Sequence, residues 1–134
     1  MQQKKKMTEL ANTDPLTGLY NVRYFMTTIK QLYECRQSFG VLYLDLNKFK
    51  EVNDQYGHDT GDKLLVEVAA RIGDCLKKED ILFRIGGDEF CIVVMDTNSG
   101  DFYDALIRRI VERISRPYAV ADIILYPGIS CGYS

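Results

Sequence analysis

Two apolar runs with a glycine pair between them constrain this chain more than any other stretch. Residues 81–85 read Ile-Leu-Phe-Arg-Ile and residues 90–95 read Phe-Cys-Ile-Val-Val-Met, with Gly86-Gly87-Asp88-Glu89 in between. Both runs have the length and β-branched or aromatic content of buried strands, and a glycine pair at their junction predicts a hairpin whose turn takes positive φ. A chain of 134 residues that commits this many to a hairpin has room for one domain around it.

The elements on either side follow from periodicity. Turn formers at 13–18 precede Tyr24, Phe25, Thr28, Ile29, Leu32 and Tyr33 at helical spacing, which predicts a helix over 22–36. Gly40 ends that connection, and 41–44 form a short buried strand with Asp45 at its C-terminal end. A polar segment over 47–62, read as a loop, feeds a helix carrying Leu64, Leu65, Val68, Ala69 and Ile72 on one stripe. Leu106, Ile107, Ile110, Val111 and Ile114 mark another helix, and 119–126 and 129–133 read as closing strands. The order predicts an α+β fold with helices against a mostly antiparallel sheet.

Bulk properties exclude several classes. A formal net charge of −2 offers no basic footprint for nucleic acid. No run reaches the eighteen or so apolar residues of a membrane span, and the N-terminus lacks a signal-peptide core. Cys35, Cys75, Cys91 and Cys131 sit apart among apolar neighbours, so they read as buried reduced thiols suited to the cytoplasm, while a membrane-anchored parent protein remains compatible. Residues 1–12, with Lys4 to Lys6, read either as the end of a connector helix from an upstream domain or as a solvated tail.

The chemistry concentrates in two places. Asp88 and Glu89 follow the glycines directly, and Asp45 faces them if the two strands are neighbours. Oxygen ligands on adjacent strand ends suit a hard cation such as Mg²⁺ with phosphate oxygens completing its shell, whereas the bland alternative is a solvated acidic turn. The segment from Asp45 to Asp62 is denser in donors and acceptors than a connector needs, and Asn and Asp side chains can read a purine edge. Lys50 could neutralise phosphate charge. The same stretch is not an EF-hand loop, because Lys50 stands where that loop requires glycine and its twelfth position is not Glu.

Taken together, residues 14–21 (Asp-Pro-Leu-Thr-Gly-Leu-Tyr-Asn), 45–62 and 84–90 (Arg-Ile-Gly-Gly-Asp-Glu-Phe) resemble the GGDEF domain of diguanylate cyclases in order and spacing. The resemblance covers the chain after Leu10. It implies a palm-like fold shared with ferredoxin-like and nucleotide cyclase domains. The implied activity is condensation of two GTP into cyclic di-GMP with release of pyrophosphate, dependent on Mg²⁺ or alternatively Mn²⁺, across a homodimer. By position it implies Asp45, Asp88, Glu89 and the Leu46 carbonyl as metal ligands, with Asp88 activating the 3′-hydroxyl. Asn53, Asp62 and His58 fall at substrate-reading positions together with Gly86 and Gly87, and Lys50 at the position that stabilises phosphate charge. Phe49 and Phe90 read as packing residues, Arg23 and Arg84 as ion-pairing ones, and Asp14 as the cap of the first helix.

Two departures are visible. Where many family members carry an inhibitory product site, Arg-x-x-Asp, this chain has Lys77-Lys78-Glu79-Asp80, and lysine lacks the planar fork of arginine. Family domains also continue past the strand at 129–134 into a helix, so 13–134 are expected to be a GGDEF domain lacking its C-terminal part, within a parent that carries an upstream sensory domain. Three readings stand: a cyclase, a GTP-binding or dimerising regulatory module without activity, and a different nucleotidyl cyclase.

Overall fold

The computed structural model describes residues 11–95, 100–120, 123–126 and 128–133. Of the connector expected over 1–12, only Ala11 and Asn12, both helical, fall within them. The elements run α1 (Val22–Glu34), β1 (Gly40–Leu46), α2 (Phe49–Tyr56), α3 (His58–Asp74), β2 (Ile81–Arg84), β3 (Glu89–Val94), α4 (Gly100–Ile114), β4 (Tyr118–Val120), β5 (Ile123–Leu125) and β6 (Ile129–Tyr133).

Four strands make the main sheet in the order β2-β3-β1-β6, and every pairing among them is antiparallel. The α+β architecture with an antiparallel sheet flanked by helices therefore holds. Strand alternation divides the side chains cleanly. Leu42, Leu44, Leu46, Phe90, Ile92 and Val94 point to one face, where Leu64, Leu65, Val68 and Ile72 of α3 and Leu106, Ile110 and Ile114 of α4 meet them in the larger core. Val41, Phe83, Cys91 and Val93 point to the other face, where Phe25 of α1 packs edge-on against Phe83 with ring centroids 5.2 Å apart.

Several sequence expectations change. The segment 47–62 is not a loop: it folds into α2 and the first turn of α3, because Phe49 and Val52 bury one helical face too short to register as a stripe. Gly57 makes the elbow between the helices with φ 93°, a conformation costly for any residue with a Cβ. The strand expected over 119–126 is a separate two-stranded hairpin, β4 with β5. Helix α1 ends at Glu34, with Cys35 as its cap and exposed, contrary to its expected burial; Cys75 and Cys91 are buried and Cys131 half-buried.

Asp14 does not cap α1. Asn21 does, accepting from the Tyr24 N–H at 3.0 Å, because it lies next to the helix while Asp14 is spent elsewhere. No described helix is long and apolar enough to cross a membrane.

Candidate active site

Register places the acidic groups. In the β1–β3 ladder Asp45 lies directly opposite Glu89, and the Leu46 N–H donates to the Asp88 carbonyl at 3.1 Å. The end of β1 is thus stitched to the signature turn, with the Leu46 backbone beside Asp88. Burial first, then the negative charge and hydrogen bonding of Asp88, push the Asp45 carboxyl above its ordinary value. A carboxylate whose charge is disfavoured by burial and by a second carboxylate beside it is one that a divalent cation would relieve.

Glu89 turns toward the first glycine of the turn. Its carboxylate folds back over Gly86, where an added Cβ would lie 3.0 Å from the Glu89 Oε2. Among the described residues no group of three or more His, Cys, Asp or Glu side chains is gathered tightly enough to hold a metal ion. The donor set here is the Asp45–Asp88 pair and the adjoining Leu46 backbone, which suits Mg²⁺ sharing its shell with water and phosphate oxygens.

The turn is not shaped as its glycines suggested. Among the described residues only Gly18 and Gly57 are glycines with positive φ, so Gly86 and Gly87 do not adopt the left-handed geometry of a tight two-residue hairpin. A longer connection runs from Arg84 to Glu89, closed by the Ile85 N–H donating to the Glu89 carbonyl at 3.0 Å. Arg84 holds it from behind: its Nε donates to the Gly86 carbonyl at 3.2 Å and its Nη2 to the Gly87 carbonyl at 3.0 Å. The remaining arm of the guanidinium reaches both carboxylate oxygens of Asp14 at 3.0 Å. Arg84 thus pairs within the fold as expected, whereas Arg23 is exposed with no ion pair among the described residues.

Asp14 is fully engaged. Burial alone would raise its carboxyl, but hydrogen bonds from the Thr17 side chain and backbone, at 2.7 and 2.8 Å, and from Arg84 hold it below the ordinary value. Sequence reasoning missed this link between residue 14 and the turn. Thr17, three residues after Asp14, was the available signal.

The donor-rich segment occupies the α2–α3 elbow. Lys50 and Asn53 lie one turn apart on α2, and His58 and Asp62 one turn apart on α3. Lys50, His58 and Asp62 are exposed. Asn53 is half-buried and its Oδ1, buried, has no hydrogen-bond partner; it lies against Gly61 in the space a Cβ there would fill. A buried amide oxygen without a donor is uncommon, and this one is competent to accept from a ligand N–H. Phe90 is fully buried and Phe49 packs at the edge of the core, as expected of packing residues.

Beside the carboxylates, on the α1 face of the sheet, a cavity of about 370 Å³ is lined by Tyr43, Asp45, Ile85, Glu89, Ser130 and Cys131. Its far rim is tied to the end of β1 through Asn47, whose N–H donates to the Gly128 carbonyl at 2.8 Å and whose Oδ1 accepts from the Ser130 hydroxyl at 3.0 Å.

Comparison with known proteins agrees with this geometry. The family model described as "Diguanylate cyclase, GGDEF domain" matches residues 11–134. Among curated proteins, the cyclic di-GMP phosphodiesterase PdeR of Escherichia coli is 37% identical over 131 residues, covering 96% of this chain and 20% of PdeR. The diguanylate cyclase DgcP of the same organism is 34% identical over 125 residues, covering 90% of this chain and 36% of DgcP. The solved GGDEF domain of TpbB, also called YfiN, from Pseudomonas aeruginosa superposes with a TM-score of 0.82 at 31% identity, covering 90% of this chain and 73% of that one. The chain thus spans about a fifth to a third of these curated relatives. With the signature turn, the Asp45–Asp88 pair and the palm-like sheet in place, this chain belongs to the GGDEF domain family.

Proposed function

We propose that this domain is a diguanylate cyclase, joining two GTP into cyclic di-GMP with release of two pyrophosphates. The observation that carries the reading is the Asp45–Asp88 pair on adjacent strand ends, beside a turn whose Gly86 and Gly87 carbonyls Arg84 grips. Each domain would bind one GTP, so two domains face each other and the 3′-hydroxyl on one attacks the α-phosphate on the other. Bound Mg²⁺, or Mn²⁺ in its place, would be held by Asp45, Asp88 and the Leu46 carbonyl, with Glu89 in support, and would supply charge neutralisation at the phosphates.

The remaining work falls to this chain's own groups. Asp88 accepts the proton of the 3′-hydroxyl. Lys50 neutralises negative charge developing on the phosphates, and Asn53, Asp62 and His58 orient the base, the Asn53 Oδ1 accepting from a guanine N–H and the Asp62 carboxylate from its neighbours. Gly86 and Gly87 let the nucleotide approach the backbone closely.

A second reading is favoured by one observation: PdeR, 37% identical over 131 residues, carries the name of a phosphodiesterase. A domain of this kind could bind GTP or dimerise in order to regulate an attached partner such as a sensory or hydrolytic domain. Incubating the protein that carries this domain at natural length with GTP and Mg²⁺, then separating nucleotides by chromatography, decides. Cyclic di-GMP supports the cyclase, GTP binding without product supports the module, and a cyclic mononucleotide supports a different nucleotidyl cyclase.

The same assay addresses feedback. Lys77 lies over the Phe102 ring at 5.3 Å, and its N–H donates to the Asp80 carboxylate at 2.9 Å, so residues 77–80 form a turn closed on itself. Added cyclic di-GMP is expected to inhibit weakly or not at all, and half-inhibition at low micromolar product would overturn that expectation.

A further inference from the structure

The signature turn needs something to hold it. Its glycines do not take the positive φ that would lock a tight hairpin, and no Cβ placed on Gly87 would meet any atom within 4 Å. Within it the Ile85 and Gly86 N–H groups donate to the Glu89 carbonyl at 3.0 and 3.4 Å, and from outside the Leu46 N–H reaches the Asp88 carbonyl at 3.1 Å. The Asp88 carboxylate extends from the segment these few contacts close. Catalysis by positioning tolerates little drift, and a misplacement of about 1 Å can cost about 100-fold.

We propose that Arg84 and Asp14 are positioning residues of this site, Arg84 fixing the turn by its hold on the Gly86 and Gly87 carbonyls and Asp14 fixing Arg84. The guanidinium is planar and offers its N–H groups in a fork, so it can grip two successive carbonyls on one side and a carboxylate on the other. Here it does both: Nε and Nη2 take the carbonyls and Nη1 takes Asp14. Neither side chain is free to wander, since each is only 16–17% exposed. Asp14 is itself anchored by Thr17. The backbone repeats the coupling, because the Arg84 N–H donates to the Tyr20 carbonyl at 2.9 Å and the loop is closed by the Asn21 N–H on the Asn12 carbonyl at 2.9 Å. The 12–21 loop is therefore part of the device that aims Asp88. The kinetic part of this inference rests on the cyclase reading.

The test compares Asp14→Asn and Arg84→Lys with the wild-type chain. Arg84→Lys keeps a cation for Asp14 but cannot grip two carbonyls at once, so an ion pair serving only stability would survive it. In protein labelled with ¹⁵N-glycine, both substitutions are expected to move the Gly86 and Gly87 amide signals while Gly57 and Gly73 stay in place. Turnover is expected to fall about 10- to 100-fold with KM for GTP nearly unchanged. Unmoved glycine signals, or turnover within about twofold of wild type in Arg84→Lys, would overturn the proposal.

Should the wild-type protein make no cyclic di-GMP, the cyclase reading falls, and the glycine signals together with Mn²⁺ affinity from water proton relaxation decide the positioning role. Weaker Mn²⁺ binding in both variants supports it and unchanged binding overturns it. If either variant fails to fold, Thr17→Val removes only one hydroxyl from Asp14, and the same pair of glycine signals must move.

Discussion

The two faces of the sheet are built for different purposes. One face is sealed by α3 and α4 into a core in which Leu42, Leu64, Val68, Ile72, Ile92, Ile110 and Ile114 are each no more than 0% exposed. Among the described residues the other is covered by α1 and by Tyr20 of the 12–21 loop, and beyond Phe25, Val41, Phe83, Cys91 and Val93 its cover thins: Tyr43 is 47% exposed and Met26 62%. Asp45 and Glu89 alternate onto this thinner face, beside the 370 Å³ cavity. Fold stability and chemistry are thus separated by the pleat of two strands. Side chains on one side of β1 and β3 are buried along the strands, whereas on the other side Tyr43, Asp45 and Glu89, toward one end, remain exposed.

Substitutions on the thin face should abolish chemistry without the fold noticing. Asp45→Asn or Asp88→Asn should lower cyclase turnover on the order of 10²–10⁴-fold. The melting temperature should stay the same or rise, because Asp45→Asn removes a charge that burial first and Asp88 second disfavour, and Asp88→Asn removes the second of these. Turnover and thermal denaturation measured on the same samples check it. A large fall in melting temperature would show that the pair is structural.

The complementary test sits on the sealed face. Ile110→Ala should cost about 2–5 kcal/mol, because Ile110 is fully buried and its truncation leaves a cavity in the core. Ile29→Ala on α1, only partly buried against the Phe25 cluster, should cost about 1 kcal/mol. Urea denaturation of both variants measures the difference, and equal losses would mean that α1 seals its face as completely as α3 and α4 seal theirs.

Gly61 sharpens the comparison at the elbow, where stability and recognition meet in one position. An alanine Cβ there would occupy the place of the Asn53 Oδ1, so Asn53 must rotate away, while the helix gains up to about 1 kcal/mol from losing a glycine. Gly61→Ala should therefore leave stability near wild type yet raise KM for GTP about 2- to 10-fold, the worth of one hydrogen bond. Steady-state kinetics beside a melting curve would show it, and an unchanged KM would remove Asn53 from substrate recognition.

Much of this was legible in the chain because the signals were local. The apolar runs of β1 and β3 and the long stripe of α3 extend over enough residues to be read directly, and Asp45 next to a strand end before a Gly-Gly turn is a pattern in sequence. What escaped depended on tertiary contact. Helix α2 buries only Phe49 and Val52, so its eight residues looked like a polar loop. Gly86-Gly87 suggested positive φ because the twist of paired strands usually demands it. The actual turn is longer and takes its shape from an arginine side chain. Asp14 was assigned to the nearest helix, since nothing local indicates that its partner is 70 residues away.

That long-range pair supplies the smallest and most specific expectation. The Asp14 carboxyl lies below its ordinary value of 3.8 because Thr17 and Arg84 outweigh the effect of burial. A depressed carboxylate contributes stability that is fully present above the unfolded-state value and is lost as pH falls through the folded-state one. Lowering the pH from neutrality toward 4 should therefore leave this contribution intact, and it should fade only below the ordinary value of 3.8. Asp14→Asn cannot titrate there, so it should be less stable than wild type at neutral pH, with the gap narrowing as acid protonates Asp14 in the wild type. Denaturation midpoints at neutral pH and at successive steps below pH 4 would follow the gap. A gap that stays constant into acid would mean that Asp14 serves through shape alone, and the thin face would then owe its turn to packing rather than to charge.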